Sequence, residues 1–428
     1  METKPPDRYY IVYFLLLILG ITTTLPMHIF YTASTYFSAQ LEGTPYQHVI
    51  ENYMMLAYSL PTIIVGAVNI MLLRRIDVRK RIIFSLSVLI VSFIATTVLA
   101  KLNTSNWKYT FFVLTLTIIV LSSTFGGTIY CASLFGLVSI FPKEYSQALI
   151  IGNALSGIFT ALANIMSLVV THSARRSGVG YFISGTAILV IAMIIQLVLE
   201  KNVFARYYMK AHLEYDVQQK KKLLEDDEAQ LSDTDDEDMY VPYGNNKLKR
   251  LHYVFMKIWP IALAAFWCNV ISFCVFPSVV TRGISIYRKS NTLLTGPLFI
   301  PVTCFLMDAT ADIVGRILSR WILFPRQNQG ILLLLISLCR VIFIPLFLYC
   351  NIHPRKHLPV KIYSDIAYMV LIMLCGFSHG YITTLCTMYA GKRVPPQFSE
   401  SAGAIIYYFV TVGIAAGTAA SFVAVSIL

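Results

Sequence analysis

Long apolar segments recur along the whole chain, and they limit its fold more than any other feature. Each is about 20 residues or longer, enough for a helix to cross the roughly 30 Å hydrocarbon core of a bilayer. Only 13% of the residues are charged and the mean hydropathy is +0.66, whereas about 25% of the residues in soluble domains are charged. The sequence predicts an all-α polytopic membrane protein with eleven transmembrane helices, at 10–37, 51–73, 81–100, 110–141, 148–171, 180–200, 253–281, 292–321, 329–350, 364–390 and 401–426.

The distribution of Lys and Arg predicts how the helices are oriented, because short cytoplasmic loops are enriched in basic residues. The clearest basic cluster is at 74–81, directly after the second apolar segment. It lies on the cytoplasmic side if the N-terminus is cytoplasmic. With eleven helices, the C-terminus is then expected on the extracellular or luminal side.

One long polar stretch, 201–252, separates six apolar segments from five. It changes from basic at Lys220 to acidic from Glu225 onward, and such blocks of like charge are typical of disordered linkers. We therefore expect an N-terminal six-helix bundle at 1–200, a charged cytoplasmic loop at 201–252 and a C-terminal five-helix bundle at 253–428. Two related bundles around a central site are typical of transporters.

Two hydroxyl residues in this loop are surrounded by acidic residues. Ser232 and Thr234 flank Asp233, and an acidic run follows at 235–238. They are candidate phosphorylation sites for an acid-directed kinase, which would be a partner of the loop. The alternative is a solvated linker without such a partner.

Three charged side chains interrupt the apolar segment 292–321. Asp308, Asp312 and Arg316 follow one another at a spacing of four residues, so they lie on one helical face, and Asp312 and Arg316 are placed to pair. Each costs about 2.5–3.5 kcal/mol at the centre of a spanning helix. Such residues face a protein interior or an aqueous cavity and mark solute paths. The alternative is a salt bridge that fixes helix packing or gates the path.

Four further residues are candidates for special roles because they are polar or charged and lie in or beside apolar segments. His28 and His379, together with Asp308, are candidate proton-sensitive groups, and a hydrogen-bonded bridge between helices is the alternative. Arg340 is expected to pair with a helix-end carbonyl or an acid. Glu400 is expected to cap the start of a helix. Both have predicted structural or gating roles.

No sequence motif supports an enzyme. The chain lacks a phosphate-binding Gly-x-x-x-x-Gly-Lys-Ser/Thr loop, a nucleophile elbow and the ligand spacing of a zinc site. Its 8 cysteines lie in or beside apolar segments without a metal or disulfide pattern. We expect no enzymatic activity, ATP drive, cofactor or metal. The net charge of +12 is attributed to loop topology and not to binding of nucleic acid.

Short stretches along the chain match the signature motifs of one family, in the expected order. They are Pro6-Asp7-Arg8-Tyr9, Leu25-Pro26, Ser133-Leu134-Phe135-Gly136-Leu137, Asp312-x-x-Gly315-Arg316, Phe377-Ser378-His379-Gly380-Tyr381 and Glu400-Ser401-Ala402-Gly403-Ala404. The ordered set resembles the equilibrative nucleoside transporters. This resemblance implies a major-facilitator-like fold with a 6+5 arrangement of helices. It also implies facilitated diffusion of nucleosides, and sometimes nucleobases, by alternating access.

The resemblance also implies a substrate site in a central cavity. Asp312 and Arg316 would hydrogen-bond the ribose hydroxyls, a role that suits a carboxylate acceptor and a guanidinium donor. Phe305 would pack on the sugar or base. The other candidate lining residues are Met27, His28, Cys131, Ala309 and Ile414.

Several of these positions depart from the family pattern. Met27-His28 replaces Trp-Asn, Cys131 replaces Gln, Ala309 replaces Asn, and Asp308 stands where an aromatic residue is common. The amide that would read the base edge at Cys131 is absent, so the preference for purines or pyrimidines stays open.

Two other functions are alternatives to nucleoside transport. An organic cation or monoamine transporter of the same fold is the first, because Asp308 makes the cavity more acidic. A non-transporting membrane receptor is the second. The expected partners are nucleosides and the lipid bilayer. The expected location is the plasma membrane, with an intracellular (lysosomal) membrane as the alternative.

Overall fold

The computed structural model describes residues 5–428 except 48, 73–76, 103, 105, 139–140, 172–173, 210–246, 289–291, 356 and 396–397. Its regular secondary structure is helical, and isolated bridges are the only β-structure in the described residues. The helices are α1 Ile11–Thr32, α2 Ser34–Gln40, α3 Ile50–Leu72, α4 Val78–Lys101, α5 Lys108–Ser122, α6 Cys131–Val138, α7 Lys143–Thr171, α8 Ala174–Lys201, α9 Lys247–Val275, α10 Met307–Leu318, α11 Gly330–Cys339, α12 Phe343–Leu348, α13 Asp365–Lys392 and α14 Ser399–Ile427.

Two of these helices are extended by π-helical turns. Ser123–Tyr130 joins α5 to α6, and Pro301–Leu306 leads directly into α10. The helical backbone is therefore continuous over 299–318, which is roughly 20 residues or about 30 Å. A π-helical turn shifts the helical phase and is often found at functional sites. Both π-helical segments lie in helices that the sequence assigned to the substrate cavity.

Nine helices in the described part of the chain are long and apolar enough to cross a membrane. Predicted segments 51–73 and 292–321 are not among them. The first is helical as α3 over Ile50–Leu72. The second is helical over 299–318, where three charged side chains lower its hydropathy. The chain is thus a multi-pass helical membrane protein.

Helices pack in pairs within each half of the chain. In the first half α1 packs on α7 and α4 on α8, and in the second half α9 packs on α14 and α10 on α13. One buried cluster lies within the first half and another within the second. A third cluster combines Tyr31, Met55 and Ala161 with side chains of the second half. This third cluster is the apolar part of the interface between the two halves.

Polar contacts join the two halves at one end of the molecule. The Thr281 hydroxyl donates to Glu51 at 2.5 Å, and the Asn52 amide donates to Ser421 at 2.6 Å. The Tyr53 and Phe422 rings lie edge to face at 5.4 Å. These contacts connect the start of α3 with the end of α14 and the segment after α9, and they close this end of the interface.

The ends of the predicted loop 201–252 differ from the sequence-based expectation. Residues 203–209 are helical, and α9 begins at Lys247. The first extension has a packing reason, because the Phe204 ring lies 5.1 Å from Tyr145 and 6.3 Å from Phe141. Ser232 and Thr234 lie outside the described residues.

Candidate functional site

The closest helix contact near the predicted site is between α10 and α13. A Cβ atom on Gly315 would overlap the Phe377 carbonyl oxygen, and one on Gly380 would overlap the Asp312 carbonyl oxygen. Gly376 lies one turn before Gly380, where a Cβ would be 2.6 Å from an oxygen of the Asp308 side chain. Two glycines four residues apart let membrane helices pack backbone to backbone. They hold the carboxylates of α10 directly against α13.

Asp312 is the centre of a polar cluster formed by three helices. Arg316 Nε donates to its Oδ2 at 2.6 Å, and His379 Nδ1 donates to its Oδ1 at 2.9 Å. His379 Nε2 lies 3.3 Å from Asn269 Oδ1 on α9. The Asp312 side chain is 16% exposed and that of Arg316 is 25% exposed. The pair therefore remains in contact with open space, while the second carboxylate oxygen is fixed by α13.

Arg316 has spare capacity to bind a ligand. A guanidinium has five N–H donors, and the hydrogen bond to Asp312 uses the one on Nε. The terminal nitrogens make no hydrogen bond to the described residues, and they are not among the fully buried polar atoms. They are free to donate to oxygen atoms of a solute beside α10.

Asp308 lies one turn before Asp312 and differs from it in its surroundings. It is half-buried against Gly376. Its carboxylate accepts no hydrogen bond from the described residues and is not fully buried. Asp308 is therefore an acid with unused acceptor capacity on the same helical face.

An aromatic cluster adjoins this face. The Phe305 ring stacks on Tyr31 at 5.8 Å and meets Phe276 edge to face at 5.8 Å. Phe305 and Tyr31 are 4% and 5% exposed. They connect α1 of the first half with the α10 segment of the second half, so the cluster forms one wall where the halves meet.

The candidate lining residues of the first half lie at the same interface. Met27 packs against both the first-half cluster and the mixed cluster. His28 pairs with the Tyr31 hydroxyl through Nδ1. Ala309 lies 3.0 Å from the position that a Cβ on Gly157 would take, and the His28 ring lies 3.4 Å from that position. Helices α1, α7 and α10 thus converge at this point.

Two other predicted lining residues lie elsewhere on the interface. Cys131 is buried directly after the π-helical segment. The Tyr407 hydroxyl of α14 donates to the Gly127 carbonyl within that segment at 3.1 Å. Ile414 is half-buried on α14, next to Gly413, which packs on Asn269. Among the described residues, neither side chain makes a hydrogen bond to Asp312, Arg316 or His379.

Arg340 and Glu400 are the two residues with predicted structural or gating roles, and the structure describes the side chain of Arg340 only. Arg340 is 4% exposed and donates to the carbonyls of Cys268 at 2.7 Å and Cys375 at 3.0 Å. It also donates to two hydroxyls, those of Ser272 and Ser378. It thereby ties the segment between α11 and α12 to α9 and α13. Glu400 lies in the first turn of α14, and its side chain is outside the described residues.

Sequence reasoning missed three residues of this site. Asn269 holds His379, while Tyr31 and Phe276 complete the aromatic wall. A signal existed for Asn269, because a polar amide inside the apolar segment 253–281 is itself a candidate functional residue. A sequence signal also existed for Tyr31, because it lies three residues after His28 and therefore on the same helical face.

Known proteins with similar sequences identify the family of this chain. The sequence model of the family described as nucleoside transporter matches residues 115–426. Equilibrative nucleoside transporter 1 of Rattus norvegicus is 30% identical over 455 residues, which cover 98% of each chain. Equilibrative nucleoside transporter 3 of the same organism is 28% identical and covers 97% of this chain and 89% of the relative.

Solved structures show the same fold at low sequence identity. A point mutant of the nucleoside transporter NupG superposes with a TM-score of 0.56 at 12% identity, covering 95% of this chain and 90% of the other. A bacterial homologue of the human lysosomal transporter Spinster superposes with a TM-score of 0.53 at 12% identity, covering 96% and 82%. The predicted major-facilitator-like fold is thereby confirmed. Sequence, fold and relatives agree, and the chain belongs to the equilibrative nucleoside transporter family.

Proposed function

We propose that this chain carries nucleosides across a membrane by facilitated diffusion, with one substrate site between its two halves. Family membership supports the activity and the class of substrate. The observation that carries the proposal at the level of residues is the Asp312–Arg316 pair, which is half-buried in a membrane helix and has free donors. A ribose offers adjacent hydroxyls, which donate to a carboxylate and accept from a guanidinium.

The proposed cycle is alternating access, in which the site opens to one side of the membrane and then to the other. The contacts of Glu51 and Asn52 close one end in this structure. These contacts join the halves and would have to separate when that end opens. A substrate bound at Asp312 and Arg316 would then cross down its own gradient.

The finer architecture belongs to the same proposal. Adding α3 and the helix at 299–318 to the nine apolar helices gives eleven spans, six before the charged loop and five after it. The bundles would be 1–200 and 253–428. The basic cluster at 74–81 supports a cytoplasmic N-terminus and an extracellular or luminal C-terminus. We expect the protein at the plasma membrane, and a kinase acting on Ser232 and Thr234 stays a prediction.

Uptake into reconstituted vesicles tests the proposal. Radiolabelled nucleosides and nucleobases should enter the vesicles with saturation and equilibrate without accumulating above the outside concentration. Unlabelled nucleoside should compete for this uptake. Vesicles without protein set the background, and flux at that background for every nucleoside and nucleobase would refute transport.

A second substrate class, organic cations, is favoured by one observation. The Asp308 carboxylate has no hydrogen-bond donor among the described residues and lies on the face that carries Phe305. A carboxylate beside aromatic rings suits an amine cation. Competition between labelled uridine and an unlabelled monoamine in the same vesicles separates the two. Loss of the competition in Asp308→Asn, with nucleoside uptake kept, would assign cation binding to Asp308.

A further inference from the structure

The pairing of His28 with Tyr31 fixes which nitrogen of His28 carries a proton. Both residues lie on α1, three positions apart, and the Tyr31 hydroxyl pairs with His28 Nδ1. Tyr31 is 5% exposed and its ring is held between Phe305 and Phe276. The pair lies within one helix, so it does not depend on which end of the transporter is open.

The Tyr31 hydroxyl acts as the donor in this pair. A buried hydroxyl proton without an acceptor costs free energy, and the only hydrogen bond of this hydroxyl to the described residues is the one with His28 Nδ1. When Nδ1 accepts, a neutral imidazole carries its proton on Nε2. His28 is thereby fixed as a hydrogen-bond donor at Nε2.

The Nε2 donor has no acceptor among the residues that the structure describes. It makes no hydrogen bond to the described residues, and it is not among the fully buried polar atoms without a partner. The ring lies where α1, α7 and α10 converge, beside Gly157 and close to Ala309. Asp312 and Arg316 follow Ala309 by three and seven residues on α10, so they lie on the same helical face as Ala309. The Nε2–H group is therefore a donor without an acceptor among the described residues, on a ring close to Gly157 and Ala309.

The position of the Nε2–H group of His28 determines which part of a bound nucleoside it contacts. Asp312 and Arg316 supply the groups that match the sugar hydroxyls. Ala309 lies about one turn before Asp312 and about two turns before Arg316, roughly 5 Å and 10 Å along the helix, and offers no polar group. His28 is the polar side chain opposite Ala309. A bound nucleoside with its ribose at Asp312 would place its base at this level.

We infer that His28 reads the base of the substrate by donating from Nε2 to a carbonyl oxygen, with Tyr31 fixing the tautomer. This inference rests on the proposed nucleoside transport and names the preferred substrates. Bases that carry an oxo group at the reading position are preferred to bases with an amino group there. An amino group on the base would place its own N–H opposite the Nε2–H of His28, so that the His28 donor would have no acceptor.

Two pairs of nucleosides that differ in one group test the inference. Inosine and adenosine carry oxo and amino groups at the same purine position, and uridine and cytidine do so on pyrimidines. Competition against labelled uridine gives an oxo-to-amino ratio for each pair. We expect the wild type to prefer the oxo member of at least one pair by about three- to ten-fold, the effect of one hydrogen bond.

Two variants separate recognition of the base from a structural role. In Tyr31→Phe the ring packing remains but the donor to Nδ1 is lost, so either nitrogen can carry the proton and the ratio should fall toward one. In His28→Leu the donor is absent and the ratio should also approach one. Tyr46→Phe is the matched control, because the Tyr46 hydroxyl pairs with Tyr109 at an exposed position. Its ratio should equal that of the wild type.

The outcomes distinguish this inference from the proposed function. A wild type that takes up nucleosides with ratios near one for both pairs overturns the inference and leaves transport intact. Wild-type ratios that persist in both variants overturn it as well. If neither variant folds, the wild-type ratio still decides. A wild type that takes up neither purine nor pyrimidine nucleosides refutes the proposed function itself.

Discussion

The Nε atom of Arg316 lies 2.6 Å from Oδ2 of Asp312, which precedes Arg316 by one helical turn on α10. This pair is the proposed anchor for the sugar, because the free donors of Arg316 lie beside it. We expect Arg316→Ala to lower the ratio of Vmax to KM for nucleoside uptake by roughly ten- to a hundred-fold, since hydrogen bonds to charged groups contribute about 1.5–3 kcal/mol. Initial rates in vesicles measure this change.

The controls for this prediction keep part of the chemistry. Arg316→Lys retains the charge but loses the planar set of donors, so it should recover only part of the uptake. Arg320→Ala removes an exposed arginine just after α10 and should leave uptake near the wild-type level. Full uptake in Arg316→Ala would contradict a role in binding.

His379 provides a prediction for pH dependence. Its Nδ1 lies 2.9 Å from Asp312 Oδ1 and its Nε2 lies 3.3 Å from Asn269 Oδ1. The Asn269 amide nitrogen donates to the Ala265 carbonyl at 2.8 Å, which fixes the orientation of the amide. Both ring nitrogens therefore face acceptors, an arrangement that is satisfied when His379 is protonated. Arg316 and Arg340 are the cationic groups nearby.

The sign of the pH effect follows from this arrangement. Loss of the His379 proton as pH rises removes one hydrogen bond to an acceptor and loosens Asp312. Uptake should therefore be higher at pH 5.5 than at pH 8, and His379→Gln should flatten the profile. Asp308→Asn is measured beside it because Asp308 is the other acid on this face. A profile flattened by Asp308→Asn alone would assign the proton sensitivity to Asp308.

The part of the site that the sequence predicted is the part determined by local geometry. Asp312 and Arg316 pair because a spacing of four residues places them on one helical face. Gly315 lies beside Arg316 and lacks a side chain, and α13 packs directly against it. His379 and Asn269 are far apart in the chain. His379 meets Asp312, and Asn269 meets His379, only through the packing of α9, α10 and α13. Periodicity within one helix contains no information about these contacts.

In the fold, as in the site, features set by the local sequence could be predicted, and features set by tertiary packing could not. Apolar length predicts which segments are helices, although three charged side chains make 292–321 less apolar than the other segments. The helix of this segment extends only over 299–318, because turns occupy 293–298 and 319–321. Hydropathy alone does not distinguish a turn that lies against protein from a helix in lipid. Which helices pair across the two halves likewise depends on tertiary packing.

The contact between Asn52 and Ser421 predicts that a covalent link at this end stops transport. Their side chains meet at 2.6 Å between α3 and α14. Asn52→Cys combined with Ser421→Cys should form a disulfide under mild oxidation, and uptake should fall to background because this end can no longer open. A reducing agent should restore uptake. Either substitution alone should be insensitive to oxidation, and continued uptake by the fully oxidised double variant would contradict the predicted separation.

The substitution Gly380→Ala tests how much of the function depends on close packing of α10 and α13. A Cβ there would overlap the Asp312 carbonyl oxygen and lie 2.8 Å from an oxygen of its carboxylate. Gly380→Ala must therefore displace α10, and such overpacking costs about 1–3 kcal/mol. We expect a lower melting temperature and a large loss of nucleoside uptake, since the displaced backbone carries the carboxylate. Both are measured on purified, reconstituted protein.

The matched control for Gly380→Ala is Gly403→Ala, because a Cβ at Gly403 meets nothing within 4 Å. Both substitutions add one methyl group within a long helix of the second half. Gly403→Ala should keep the melting temperature and uptake of the wild type, since alanine is favoured over glycine in helices. Equal behaviour of the two variants would mean that the contact between α10 and α13 does not hold Asp312 in place. A selective loss in Gly380→Ala would show that the site depends on this contact.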